Sequence, residues 1–400
     1  MEAKKHSWHG PKQIGMMIYT AILFLIGTSI IGGNNNTVFP MFSEIRGWDV
    51  NVINVVSGLA CIAKAIGVLV LARVVRKTGA KNLTTVTLIL SALLLIVFGT
   101  TKSLPLFLIV ILIIGFLGGG YEKNGGMTLT ANWWPTKKGI VLGFTTMGIV
   151  AMNFLYVPMM PKLLGKLGLG GGMTVIAVLL IIVAIITTIC VKNNPEEAGE
   201  YPDGDPTYAV NGAEIAQMMK EYKSPFTIGK VLKDKNTWFI GLGSALAFMA
   251  VMSYIASAIF AVGGIMGIVG SFIFGIIDQK IGTKKAFVVY FVFIIIGFVA
   301  LLGMPKGLTF CWISGVVIFA AQGALCNLLP SYVASKYGRW DYTAGYQVIG
   351  TIFEIGAGIG VMMTGFFAGN IMGMYIFDIV VLVIGLIFMA LSSDKFIGKR

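Results

Sequence analysis

The hydrophobic pattern of this chain repeats at a distance of 203 residues. Gly67–Lys81 (GVLVLARVVRKTGAK) aligns with Gly270–Lys284 (GSFIFGIIDQKIGTK). The same shift carries Asn124 onto Asn327, Thr128 onto Ser331, and the loop Trp133–Lys138 onto Lys336–Asp341. About a dozen apolar stretches fall into the two halves so defined. Two equivalent membrane bundles facing one another suit a carrier working by alternating access, with the solute site at their interface.

Composition sets the class. A mean hydropathy of +0.87, with 56% hydrophobic and 12% charged residues, excludes a soluble protein of 400 residues. A membrane-crossing helix needs roughly 20 apolar residues. The pattern predicts spans near 14–40, 51–74, 82–100, 105–131, 138–160, 173–191, 236–260, 261–277, 286–303, 308–333, 343–366 and 370–391. The expected fold is therefore an all-α polytopic membrane protein of about 12 transmembrane helices in two pseudo-symmetric six-helix bundles. The expected units are residues 1–192, a cytoplasmic linker 193–235, and residues 236–400.

The net charge of +13 invites a nucleic-acid reading, but its distribution argues against one. With the N-terminus inside and the spans alternating, almost all lysines and arginines fall on one side. Only Arg46, Lys102, Lys162, Lys166 and Lys306 fall on the other. That is the positive-inside bias of a cytoplasmic-membrane protein with both termini inside. No nucleic-acid partner is expected, and a monomer in the lipid bilayer is. The first apolar stretch runs past twenty residues without a small-residue cleavage site, so it reads as a span and not a signal peptide. The four cysteines lie in spans without metal or disulfide spacing and read as packing residues.

The segment 193–235 carries eight of the seventeen acidic residues and opens with the turn-rich run Asn194-Pro195-Glu196-Glu197. Ala213–Lys223 could form an amphipathic surface helix. The register of the repeat leaves a shortfall of about 20 residues near 250–266, which makes span eight short. Either a real deletion or an omitted outer loop accounts for it, and the omission is the expected reading because a truncated helix would leave polar backbone in lipid.

Ionisable groups at membrane depth cost about 2.5–3.5 kcal/mol each, and four stand out: Lys64, Glu122, Lys123 and Glu354. Glu354 sits near the midplane of span eleven, too deep to reach water, and is the expected proton-coupling residue, with a buried structural pair with Lys64 as the alternative. Lys64 suits a substrate contact and a snorkelling lysine equally. Glu122 and Lys123 fall toward the inner end of an overlong span four. An interfacial ion pair there is as expected as a role for Lys123 with substrate and for Glu122 in proton coupling. Uncharged candidates are Asn34 and Asn35 after the Gly32-Gly33 interruption, Tyr121 and Asn124 on one face of span four, Gln322 and Asn327 on its counterpart, and Gln347 two turns before Glu354. Polar contacts between helices are the alternative for each.

Gly139/Gly143, Gly263/Gly267 and Gly356/Gly360 are small-xxx-small pairs that allow close helix approach. Gly118-Gly119-Gly120 lacks the Lys-Ser/Thr of a phosphate loop, so ATP drive on this chain is not expected. Both histidines, His6 and His9, precede the first span. No catalytic residue, metal site or cofactor is expected.

With the repeat, linker and basic loops in view, the chain resembles the major facilitator superfamily over nearly its whole length. That family's loop after span two reads Gly-x-x-x-Asp-Arg/Lys-x-Gly-x-Lys. Here Arg76-Lys77-Thr78-Gly79-Ala80-Lys81 keeps the basic and glycine positions without the Asp, and Asp278 is displaced by one. Gly120-Tyr121 and Trp133-Trp134-Pro135-Thr136-Lys137-Lys138-Gly139 are similar to the oxalate/formate antiporter-like branch, as is Asn194-Pro195-Glu196-Glu197. That branch's oxalate carriers place basic residues in spans eight and eleven, where this chain has only Asp278 and Glu354. The resemblance implies a secondary transporter of a small organic anion, mono- or dicarboxylate, by proton symport or exchange for a counter-anion. Alternatives are a carrier or exporter of a neutral or drug-like solute, and a non-transporting receptor or scaffold. A membrane enzyme ranks third.

Overall fold

A computed structural model describes residues 9–32, 37–135, 137–206, 218, 221–257, 263–367 and 370–398. Among them the secondary structure is helical and no strand occurs. The helices are α1 (Pro11–Ile31), α2 (Val38–Arg46), α3 (Val50–Thr100), α4 (Leu104–Gly118), a π-turn (Gly119–Gly126), α5 (Met127–Trp133), α6 (Lys138–Ala151) and α7 (Tyr156–Cys190). After the linker come α8 (Ile228–Lys233), α9 (Lys235–Ser257), α10 (Gly263–Ile281), α11 (Thr283–Leu301), α12 (Leu308–Phe366) and α13 (Ile371–Leu391).

Among the described residues, ten helical stretches are long and apolar enough to cross a membrane. Two of them, Val52–Thr100 and Val141–Cys190, run to 49 and 50 residues, about twice one crossing. Each is broken by a glycine at positive φ, Gly79 (φ 81) and Gly168 (φ 71). Outward-facing side chains such as Ile18, Val178, Ile189 and Val380 are largely exposed, an arrangement unfavourable in water and natural against lipid. This is a multi-pass membrane protein.

Buried apolar residues gather in two clusters. One, built from residues between Met16 and Ala198, centres on Phe39, Phe42, Phe98 and Phe107. The other is built mainly from residues between Val231 and Met389, joined by a few from the first half such as Phe24 and Val68.

The repeat reappears in atomic detail. Asn124 Nδ2 donates to the Val68 carbonyl at 3.0 Å, and Asn327 Nδ2 donates to the Ser271 carbonyl at 3.0 Å. Both the donors and the acceptors are related by the 203-residue shift. Gly79 (φ 81, ψ 160) and Gly282 (φ 85, ψ 151) make the same left-handed reversal at equivalent points, which a Cβ would strain. The pair Gly356/Gly360 packs closely, as expected. A Cβ on Gly356 would strike the Ala245 carbonyl, and one on Gly360 the Met249 carbonyl.

Two expectations change. The first predicted span, 14–40, is two helices: α1 ends at Ile31, and α2 is a short separate helix stopped by left-handed Gly47. Residues 33–36 between them lie outside the described residues. Spans five and six are also re-divided. The chain turns at 152–155, and α7 then includes Pro158 and Pro161 before its break at Gly168, so helix continues across 161–172, the stretch expected to connect the two spans. The shortfall near 250–266 falls on the connection 258–262, which lies outside the described residues, as does most of the predicted surface helix 213–223.

The linker holds the basic loops. Asn193 Oδ1 accepts from the Lys81 amide at 2.9 Å, and Asp203 Oδ1 from the Lys137 amide at 2.9 Å. Tyr222 donates to Asp341 at 3.1 Å. Partial burial and the neighbouring Asp341 carboxylate push the Tyr222 phenol up to about 12.

Candidate functional site

Four buried charges form a closed circuit at the centre of the protein. Lys64 Nζ lies 3.1 Å from Glu122 Oε2 and 3.3 Å from Glu354 Oε2. Lys123 Nζ lies 2.9 Å from Glu122 Oε1 and 3.0 Å from Glu354 Oε1. Each lysine therefore touches both glutamates and each glutamate both lysines. The Lys123–Glu354 contact is an ion pair outside hydrogen-bond geometry. All four side chains are nearly or fully inaccessible. Two positive and two negative charges cancel, which is the condition for keeping ions out of water without a prohibitive desolvation cost.

The elements that bring these charges together are distant in sequence. Lys64 comes from the first part of α3, Glu122 and Lys123 from the π-turn after α4, and Glu354 from the last part of α12. Successive residues of an α-helix diverge by about 100°, so two neighbouring charges approach a shared site from its two sides. The wider π-turn Gly119–Gly126 lets Glu122 and Lys123 serve the same site. Its glycines are sterically required: a Cβ on Gly119 would lie 2.6 Å from the Lys64 carbonyl, and one on Gly125 would strike Thr84 Oγ1. Across the site, a Cβ on Gly27 of α1 would overlap Glu122 Oε2.

Beside the quartet lies a small cavity with about 40 Å³ of water-accessible space. At roughly 10–15 Å³ per water, it has room for a few water molecules. Lys64, Glu122, Lys123 and Glu354 form its polar wall, and Ile149, Met152, Phe248, Met252 and Val361 much of its apolar wall. Both halves contribute. Further contacts join them nearby: Arg76 donates to Gln347 Oε1 at 3.1 Å, and Thr351 Oγ1 to the Ala65 carbonyl at 3.2 Å.

The family model for the Major Facilitator Superfamily matches residues 18–259, more than half of the chain. The chain belongs to that superfamily. No curated protein matches it. Membership makes the protein a secondary transporter, which binds a small-molecule substrate and is not an enzyme in the ordinary sense of the family.

Within this superfamily member the candidate residues separate into two groups. Lys64, Glu122, Lys123 and Glu354 converge on the cavity. Lys64 does not snorkel to an interface, because two carboxylates hold its ammonium in the interior. Glu122 and Lys123 are enclosed on both sides, by Lys64 of the first half and Glu354 of the second, and their helical stretch continues to Trp133. Tyr121 is fully buried within the first-half apolar cluster. Asn124 and Asn327 turn their amide nitrogens to main-chain carbonyls. Gln322 is fully buried, with neither side-chain polar atom hydrogen-bonded. Asn34 and Asn35 lie outside the described residues.

One buried carboxyl escaped the sequence reading. Asp378 of α13 is inaccessible, accepts from Ser253 Oγ at 2.5 Å through Oδ2, and leaves Oδ1 without a hydrogen bond. Its signal was a lone Asp in a stretch of mean hydropathy 2.7, which an average over the span conceals.

Proposed function

We propose that this transporter moves a small organic anion, a mono- or dicarboxylate, across the cytoplasmic membrane by alternating access, coupled to a proton or exchanged for a second anion. The observation that supports the reading best is the reach of Glu354, on α12, to two lysines of the first half. An arriving carboxylate has two ammonium groups to bind. Taking either lysine leaves the two glutamates to share the other, and a glutamate whose pairing is so weakened is then available to accept a proton. Substrate and proton binding are thereby coupled through shared partners.

On this reading twelve crossings form two bundles, residues 1–192 and 236–400, joined by the cytoplasmic segment 193–235. The bundles rock about the quartet, with both termini inside. The similarity of the Trp133–Gly139 loop to the oxalate/formate antiporter-like branch supports an anionic cargo. The absence of basic residues from spans eight and eleven argues against oxalate itself.

Proteoliposomes loaded with the purified protein test the proposal. Uptake of labelled mono- and dicarboxylates should exceed that of neutral and cationic solutes. It should respond to an imposed pH gradient or to a trans-side anion. Competition by neutral or cationic solutes alone would replace this reading with a drug-type carrier.

A further inference from the structure

One difference between the two halves lies inside the site. On α3 and α10, Lys64 corresponds to Gly267 and Val68 to Ser271 by the 203-residue shift. The glycine that packs against this pair is Gly119 in the first half, where a Cβ would meet the Lys64 carbonyl and the Val68 amide, each at 2.6 Å. In the second half it is Gly323, where a Cβ would meet the Gly267 carbonyl and lie 3.1 Å from the Ser271 amide. Gly119 and Gly323 are 204 residues apart, yet Asn124 and Asn327 are 203 apart. Five steps separate Gly119 from Asn124, and four separate Gly323 from Asn327.

The first half therefore carries one extra residue between two matched anchor points. The helix absorbs it as the π-turn Gly119–Gly126, whereas Gly323–Asn327 is ordinary α-helix. Glu122 and Lys123 lie within that extra length. The equivalent stretch of the second half, Ala324-Leu325-Cys326, has no charge. A one-residue insertion thus coincides with the appearance of two charges in the cavity.

Asn124 is the residue that closes the widened turn. Its Nδ2 donates to the Val68 carbonyl at 3.0 Å and, from within the turn, to the Gly119 carbonyl at 2.9 Å. Asn327 makes the first of these bonds to its counterpart Ser271, in a helix that has no wide turn to close. We infer that Asn124 is a positioning residue: by holding the Gly119 carbonyl of the π-turn it keeps Glu122 and Lys123 on one face, in register with Lys64 and Glu354. The inference stands on the quartet's geometry and is independent of which solute is carried.

The second half supplies the matched control. Asn124→Ala and Asn327→Ala each remove an equivalent helix–helix bond, so both should lower the Tm of the purified protein. The distinguishing readout is the infrared carboxyl band of the quartet, assigned with Glu122→Gln and Glu354→Gln in lipid nanodiscs. Asn124→Ala should move the pH midpoint of that band by about one pH unit or more, and Asn327→Ala should leave it in place. Asn124→Leu keeps the side-chain volume, loses both donors, and should shift the band like Asn124→Ala if the smaller variant packs poorly. An unmoved midpoint in the Asn124 variants, or an equal shift in Asn327→Ala, would reduce Asn124 to a helix–helix contact and overturn the proposal.

Discussion

Lys64 and Glu354 lie 3.3 Å apart although 290 positions separate them in the chain. Neither is paired only with the other: Lys64 also holds Glu122, and Glu354 also holds Lys123. The arrangement is a circuit and not a pair, so no single charge can leave without unbalancing two others. Removing one partner of a buried ion pair typically costs about 3–5 kcal/mol, because it strands the remaining charge.

Charge balance yields the first prediction. Lys64→Met leaves a net negative quartet and Glu354→Gln a net positive one, so each should lower the Tm in detergent. The double variant restores neutrality and should recover a substantial part of the combined loss, giving a coupling of roughly 0.5–3 kcal/mol. Simple additivity of the two single effects would show that the residues do not interact energetically.

Space around Glu122 yields the second. A methyl on Gly27 would occupy the position of Glu122 Oε2. Gly27→Ala should therefore displace the carboxylate and weaken transport more than it lowers Tm. Gly15→Ala is the control on the same helix, because a Cβ there meets nothing within 4 Å. Equal transport by the two variants would mean that Glu122 relocates without consequence.

The sequence disclosed the architecture because apolar length and the 203-residue repeat are properties of the chain itself. It disclosed the four charges because each interrupts an apolar span. It did not disclose their arrangement. Lys64 with Glu354 and Lys123 with Glu122 read as separate pairs, since the roughly 100° between successive α-helical residues gives no reason to join them. The missing element was the π-turn, whose glycine-rich sequence carries no hydrophobic period to read. Its trace was present as a one-residue mismatch between Gly119–Asn124 and Gly323–Asn327. Asp378 stayed hidden for another reason: one short acidic residue barely alters the mean hydropathy of a 21-residue helix.

Asp378 has Ser253 as its hydrogen-bond partner and, among the described residues, no lysine or arginine within ion-pair distance. An Asn side chain in its place keeps an oxygen that can accept from the Ser253 hydroxyl. Asp378→Asn should therefore leave Tm nearly unchanged, whereas Asp378→Leu, which strands the Ser253 hydroxyl, should cost about 1–3 kcal/mol. Thermal unfolding of both variants decides it, and a large loss in the Asn variant would mean that the charged form is required.

The two lysines carry the last prediction, which follows from the proposed cargo. A substrate carboxylate entering the cavity must displace Glu122 or Glu354 from an ammonium group, since both lysines are already paired. Replacing Lys64 by Met leaves Lys123 to serve both glutamates, and replacing Lys123 leaves Lys64 in that position. Either change should lower affinity for the organic acid, by roughly tenfold for each 1.4 kcal/mol of lost interaction. Glu354→Gln should act differently. It retains a neutral side chain that can still accept a hydrogen bond, so binding persists, but it removes a carboxylate that can take up and release a proton. Uptake in that variant should lose its response to a pH gradient while exchange of one anion for another continues. Measuring binding, exchange and gradient-driven uptake side by side separates the roles. Normal binding in both lysine variants would remove the anion from the account, and normal pH-driven uptake in Glu354→Gln would remove the proton from that residue.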